Sequence, residues 1–106
     1  MKTRIFKSAL AALILLLLAS CDGFIQYEGT IYDAQTREPI DEVECRLDIW
    51  IRDDDRYTLS NSAGHYLVAS IVNMRESRAK HEVEFSKSGY KTQIILEPKD
   101  VYLEKE

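Results

Sequence analysis

The feature that most constrains this fold is a run of alternating apolar and polar residues between positions 42 and 52. The apolar side chains of this run stand at Val43, Cys45, Leu47, Ile49 and Ile51. Successive side chains of a β-strand point to opposite faces, so the run predicts one strand with a packed face and a solvated face. Trp50 falls on the polar face, where it either lies under a neighbouring loop or makes an exposed contact.

Turn signals divide the remaining chain into short segments. Asn61–Gly64 and Ser88–Gly89 are typical of tight turns, and residues 34–39 have the composition of a loop. Further strands are predicted at 27–33, 57–60, 65–72, 81–87, 90–97 and 101–105. Residues 73–80 are polar and charged, and they predict a long loop with at most a turn of helix. Six or seven short strands without a helical period predict an all-β sandwich.

The first 20 residues have the three regions of a secretory signal peptide. Lys2, Arg4 and Lys7 precede an unbroken apolar block from Ala9 to Ala19, which ends in small residues. A permanent membrane span needs about 20 apolar residues, and this block is shorter. We therefore expect residues 1–20 to be a signal peptide that is removed.

The end of this segment resembles the lipobox of bacterial lipoproteins. Leu18, Ala19, Ser20 and Cys21 supply in order its leucine, its two small residues and its cysteine. The resemblance implies a diacylglycerol on the Cys21 thiol, cleavage before Cys21 and acylation of the new amino group, commonly with palmitate. More than one acyl chain gives a stable membrane anchor. The alternatives are a plain secreted protein, or an uncleaved helix in which Cys21 has no role.

The residues after Cys21 bear on which membrane the anchor would enter. Asp22 resembles the inner-membrane retention signal of enteric bacteria, but that rule does not hold in all Gram-negative groups. Some lineages export lipoproteins to the cell surface with an acidic run, which Gly23, Phe24 and Ile25 would interrupt here. We expect an envelope protein of the outer membrane rather than the inner one, and the leaflet stays open.

The mature chain would be a small acidic domain. Of 106 residues, removal of 20 leaves 86, which we divide into a lipidated tether at 21–26 and one domain at 27–106. Three of the 14 basic residues precede Cys21, so 11 basic residues face 18 acidic ones and the net charge is −7. That charge predicts no binding to nucleic acid or to anionic headgroups. Cys45 is the one cysteine left, and its place in the pattern predicts a core residue without a disulfide.

Three further motifs resemble the carboxypeptidase regulatory-like domain, a transthyretin-like (prealbumin-like) β-sandwich. They are Gly29-Thr30-Ile31-Tyr32-Asp33 with Glu38-Pro39-Ile40, then Thr58 with Asn61-Ser62-Ala63-Gly64-His65-Tyr66, and then Phe85-Ser86-Lys87-Ser88-Gly89-Tyr90-Lys91. The resemblance implies a sandwich of about seven strands that serves as a binding, spacing or folding module and has no catalytic residues of its own. The charged segment at 73–80 departs from the family, which often has a short turn there.

Candidate chemical sites are few. Neither His65 nor His81 has a serine, cysteine or acidic residue nearby in the sequence that is arranged with it as a nucleophile and base. We therefore expect both histidines to be polar surface residues. Asp53, Asp54 and Asp55 are a candidate calcium site, because calcium prefers carboxylate oxygens. Their consecutive spacing differs from the EF-hand pattern, and flanking arginines can pair with them, so a solvated turn is the alternative.

The remaining candidate sites are surfaces that could bind a partner. Trp50, Tyr57 and Tyr102 are the aromatic residues expected to be partly exposed, and aromatic residues are favoured at interface centres. The last strand could accept a partner strand at its edge, or its charges could protect that edge. We expect a non-enzymatic envelope protein without a cofactor beyond its covalent lipid, and with another envelope protein as partner. A small ligand- or calcium-binding carrier is the alternative.

Overall fold

Seven strands and two short helices make up the part of the chain that the computed structural model describes, residues 22–53 and 55–106. The strands are β1 (Asp22–Asp33), β2 (Glu44–Leu47), β3 (Thr58–Leu59), β4 (His65–Asn73), β5 (Glu82–Ser86), β6 (Gln93–Leu96) and β7 (Val101–Leu103). The helices are α1 (Asp48–Asp53) and α2 (Met74–Arg78). Two sheets form, so the predicted all-β sandwich is confirmed, and every predicted strand has a counterpart.

The longest strand, β1, lies at the centre of the first sheet, whose order is β4-β1-β7. It runs antiparallel to β4 from the pair Asp22 and Asn73 to the pair Thr30 and His65. Its last residues, from Ile31 onward, run parallel to β7. The second sheet has the order β3-β2-β5-β6 with antiparallel neighbours throughout.

The core lies between the two sheets and is built mainly from alternate, inward-facing residues of the strands, with Ile40, Val43 and Trp50 added from outside the strands. Tyr66 of β4 and Phe85 of β5 pack edge to face across it, with ring centroids 5.0 Å apart. Cys45 is fully buried with a free thiol, as the alternation predicts. Burial raises the pKa of this thiol to about 12, so it stays protonated at neutral pH.

The predicted strand at 43–51 is wrong in its second half, because β2 ends at Leu47 and α1 follows. The Asp48 carboxylate accepts hydrogen bonds from the N–H of Ile49 and from the N–H of Glu82 in β5, at 2.7 and 3.0 Å. Such side-chain bonds to the backbone compete with a sheet ladder. The helix turns Trp50 into the core, where it is only 4% exposed, and leaves Ile51 on the surface.

The strand β1 begins five residues before the predicted start, so residues 22–26 are part of the sheet and not a tether. Ile25 is buried in the core, and Gly23 lies beneath Ser77 of α2. A Cβ atom at position 23 would lie 2.1 Å from the Ser77 Cβ, so only glycine allows this approach. The first residues after Cys21 are therefore held in place by strand pairing and packing.

The charged segment at 73–80 contains α2, where a long loop with at most a turn of helix is predicted. Asn73 caps this helix, since its side-chain oxygen accepts a hydrogen bond of 2.7 Å from the N–H of Glu76. In the described ranges, neither helix is long and apolar enough to cross a membrane.

The predicted turn at 61–64 is present. The Asn61 side chain accepts hydrogen bonds from the N–H groups of Ala63 and His65, both at 3.0 Å. Gly64 has φ 75°, a conformation that residues with a Cβ rarely adopt. This turn lies against β1, because the Gly64 carbonyl accepts a hydrogen bond from the N–H of Ile31.

Candidate functional site

The candidate lipidation residue, Cys21, lies outside the described residues, but the strand that follows it does not. β1 begins at Asp22 and pairs with β4 from its first residue. An anchor at Cys21 would thus be joined to the sheet without an intervening flexible segment. This region, where β1 begins, β4 ends and α2 packs, is called the anchor end below.

Near this end, His81 is buried and not on the surface, which corrects the prediction from its strand pattern; it is 3% exposed. Its Nδ1 lies 2.9 Å from Oδ1 of Asp48, and its Nε2 lies 2.6 Å from the carbonyl oxygen of Glu76. The Glu76 carboxylate is 3.7 Å from Nε2. We call His81, Asp48 and Glu76 the His81 network.

The geometry of the His81 network indicates a doubly protonated imidazole. A carbonyl oxygen and a carboxylate oxygen only accept, so both ring nitrogens must donate. Burial by itself would lower the pKa of His81. The bond to the Glu76 carbonyl, the bond to Asp48 and the two negative charges outweigh burial and raise it. With both nitrogens occupied, the ring joins α1, α2 and β5 and has no nitrogen free to act as a base.

A second buried charge lies at the opposite end of β1. Asp33 is 4% exposed, and its Oδ1 accepts from the N–H groups of Gln35 and Thr36 at 2.8 and 2.9 Å. Its Oδ2 accepts a hydrogen bond of 2.9 Å from the Tyr90 hydroxyl and lies 3.7 Å from the Lys105 ammonium. We call Asp33, Tyr90 and Lys105 the Asp33 network.

Hydrogen bonds to the ionised form hold the Asp33 carboxylate in its charged state. The Thr36 N–H contributes most, followed by the Tyr90 hydroxyl, and together with the Gln35 N–H and Lys105 they lower the pKa of Asp33 to about 2. Burial opposes this shift. The network closes the loop after β1 and joins it to Tyr90, so its role is structural.

Of the aromatic partner-binding candidates, Tyr57 and Tyr102 are exposed as expected, at 46% and 43%. The expectation for Trp50 is wrong, because α1 carries it into the core. Tyr57 lies beneath Arg46, whose guanidinium carbon is 5.6 Å from the ring centroid.

Tyr102 belongs to a larger aromatic surface at the β1–β7 junction. Its ring stacks on Tyr32 with centroids 5.4 Å apart, and the Arg37 guanidinium lies 4.9 Å from its centroid. We call Tyr32, Arg37 and Tyr102 the Tyr102 surface. Aromatic rings with an arginine form a planar, amphipathic contact of the kind that interfaces use.

Of the acidic candidates for calcium, the structure describes the side chain of Asp55 alone. Asp53 ends α1, Asp54 lies outside the described residues, and the Asp55 side chain is 95% exposed near Arg46 at 3.8 Å. Over the described ranges, no three His, Cys, Asp or Glu side chains are grouped to hold a metal ion. His65 is exposed, with its Nε2 3.7 Å from the Glu28 carboxylate.

Two of these features had local signals in the sequence. Asn73 with Glu76 three residues later is a capping pattern that indicates the start of α2, and Asp48 before Ile49 is a possible helix cap. The contact between Asp48 and His81 spans 33 residues and has no local signal. The chain matches no protein-family model and no curated protein.

Proposed function

We propose that this chain is a lipid-anchored protein of the bacterial outer membrane, whose β-sandwich is a non-catalytic binding or structural module. One observation carries the proposal: Cys21 completes a lipobox-like tetrapeptide, and the folded domain begins at the next residue. A signal peptide cut before Cys21 would leave the acylated residue directly on β1.

The surroundings of the reactive residue types support a non-catalytic role. Both nitrogens of His81 are used in hydrogen bonds, and the Cys45 thiol is buried with a raised pKa. Neither group is placed to take a proton from a substrate or to attack one.

Mass spectrometry of the protein from host membranes tests the anchor. We expect an acylated N-terminus at Cys21 that is lost in Cys21→Ala. Cys45→Ala is the matched control, because this second cysteine is buried and should leave acylation intact. An unmodified chain in the soluble fraction of the wild type would contradict the anchor.

The Tyr102 surface is the proposed contact for another envelope protein. Cross-linking in intact cells should give an adduct with a partner that Tyr102→Ala reduces, because truncation of a central aromatic residue commonly costs more than 1 kcal/mol of binding. Tyr57→Ala tests the second exposed tyrosine. Ile94→Ala, at a 61% exposed position on the outer face of the other sheet, is the control. Equal cross-linking in all variants would contradict this contact.

The resemblance to the carboxypeptidase regulatory-like domain remains part of the proposal. Two sheets with seven strands, the turn at Gly64 and the buried Tyr66 are compatible with it. It would make the domain a spacing or docking module.

The alternative, a calcium- or ligand-binding carrier, has a direct test. A ligand at 100 times its Kd that binds only the folded state raises stability by about 2.7 kcal/mol. Thermal unfolding with excess calcium should therefore raise the midpoint of a carrier, and Asp53→Asn with Asp55→Asn should remove that rise. An unchanged midpoint would contradict the calcium site.

A further inference from the structure

The anchor end exposes apolar side chains on the outer face of the first sheet. Phe24 of β1 and Ile71 of β4 are directly opposed in the antiparallel pair, and they are 57% and 76% exposed. Met74, the first residue of α2, is 39% exposed at the same end. We call Phe24, Ile71 and Met74 the anchor-end patch. Farther along the same face, Leu67 is also exposed, at 45%, but it is paired with the charged Glu28, so apolar and polar side chains are mixed there.

Charge is distributed unevenly in the same way. Residues 74–80 contain three basic residues and one acidic residue, while the rest of the mature chain has 8 basic and 17 acidic residues. Arg75, Arg78 and Lys80 are exposed, whereas the Glu76 carboxylate faces His81. With Asp22 counted as well, the anchor end has three basic residues against two acidic ones, in a domain whose net charge is strongly negative.

The path of the chain brings this end to the membrane. Phe24 is three residues after Cys21 in a strand that begins at Asp22, which limits the separation of their Cα atoms to about 10 Å. Acyl chains on Cys21 would hold that residue at the headgroup level. Phe24 would then lie within reach of the bilayer without any rearrangement of the fold.

We propose that the anchor-end patch and its basic residues dock on an anionic phospholipid bilayer, with Phe24 and Ile71 at the boundary of headgroups and acyl chains. This inference rests on the proposed acylation of Cys21. Apolar residues beside exposed lysine and arginine are the combination that binds such a surface. The net charge of −7 predicts no affinity for anionic headgroups, but the local placement of charge at this end is favourable.

Tryptophan fluorescence of the acylated full-length protein tests the docking. Phe24→Trp and Ile94→Trp place the reporter at similarly exposed apolar positions on the outer faces of the two sheets, over the constant signal of the buried Trp50. The vesicles contain phosphatidylethanolamine with a quarter phosphatidylglycerol, and bromine on the acyl chains quenches fluorophores that reach them. We expect quenching of the Phe24→Trp protein to exceed that of the Ile94→Trp protein at least about threefold.

Neutralisation of charge tests the electrostatic part. In the Phe24→Trp background, Arg78→Gln should weaken docking about fivefold, since one basic residue near an anionic surface contributes roughly that factor. Lys91→Gln, at an exposed position outside the anchor end, is the matched control and should have no effect. Vesicles of phosphatidylcholine alone should weaken docking in all of these proteins.

The outcomes separate the docking from the anchor. Acyl chains detected on Cys21, with equal quenching of the two reporters, would keep the anchor and overturn the docking. A blue shift of the Phe24→Trp emission without bromine quenching would show that a protein or a second copy covers the patch, which also overturns it. A chain without acyl groups would overturn the proposed function, and this inference with it.

Discussion

The two ends of β1 each bury one charge, and they do so in opposite ways. At the anchor end the buried charge is a cation, His81, held by Asp48 and the carbonyl of Glu76 from two helices. At the far end it is an anion, Asp33, held mainly by backbone N–H groups two and three residues away. Asp33 keeps two of its hydrogen bonds within its own loop, so its charged state depends on the rest of the fold only through Tyr90 and Lys105. His81 takes its hydrogen-bond partners from α1 and α2, so the positions of these two helices depend on one another.

The comparison predicts that the largest loss of stability follows from breaking the His81 network. Asp48→Ala removes the acceptor of the buried His81 Nδ1–H, and we expect it to lower the free energy of unfolding by about 2–3 kcal/mol. Denaturant unfolding measures this loss. Asp55→Ala, at a 95% exposed side chain, should change stability by less than about 0.5 kcal/mol. Equal effects of the two substitutions would contradict the distinction.

A smaller loss is expected when α2 is displaced from β1. Gly23→Ala places a methyl group against Ser77, which should cost about 1–2 kcal/mol and shift the Glu76 carbonyl away from His81. Unfolding curves and the chemical shifts of the His81 ring report both effects. Phe24→Ala, at the exposed neighbouring position, is the control, and it should leave the His81 resonances in place.

The pH dependence of the free energy of unfolding above neutrality gives a further test of this comparison. The pKa of His81 is raised above 6.5 in the folded state, so its contribution is fully present below pH 6.5 and is lost as pH rises through the folded pKa. For one proton the slope is at most about 1.4 kcal/mol per pH unit. Asp48, Glu76, Tyr27 and Glu97 are the ionisable groups around the ring and its backbone contact.

Unfolding at several pH values from slightly acid to alkaline conditions measures this slope. His81→Gln should remove it, and His65→Gln should not, because that histidine is exposed. A slope that persists unchanged in His81→Gln would show that another group is responsible.

The smallest expected effect is on Asp33, at the far end of β1, whose contribution to stability is lost in acid. The Asp33 contribution is present above its unfolded pKa near 3.8 and is lost as pH falls to about 2. Tyr90→Phe removes one of the bonds that lower this pKa, so it should rise toward its ordinary value. NMR titration of the Asp33 carboxyl measures the shift. In Tyr102→Phe, which alters an exposed tyrosine, the pKa of Asp33 should stay where it is.

The same contrast explains how much of the fold and site the sequence predicts. The turn at Asn61–Gly64 and the alternation at Val83 and Phe85 are local patterns, and the structure contains both. The change from strand to helix at Asp48 is not visible in the alternation, because a helix of six residues is too short to display its period. The burial of His81 depends on Asp48, 33 residues away, and such pairings arise only when the sheets assemble.

If Cys21 is acylated as proposed, the start of β1 at Asp22 has a consequence for how long the domain stays attached to the membrane. Proteases cut exposed, flexible backbone such as chain termini and loop tips. With Cys21 acylated, the backbone after Asp22 is already paired in the sheet, and Gly23 is covered by Ser77. Shedding of the domain by such a cut would require the first residues of β1 to separate from β4, so proteolytic release would be limited by the opening of that end of the sheet.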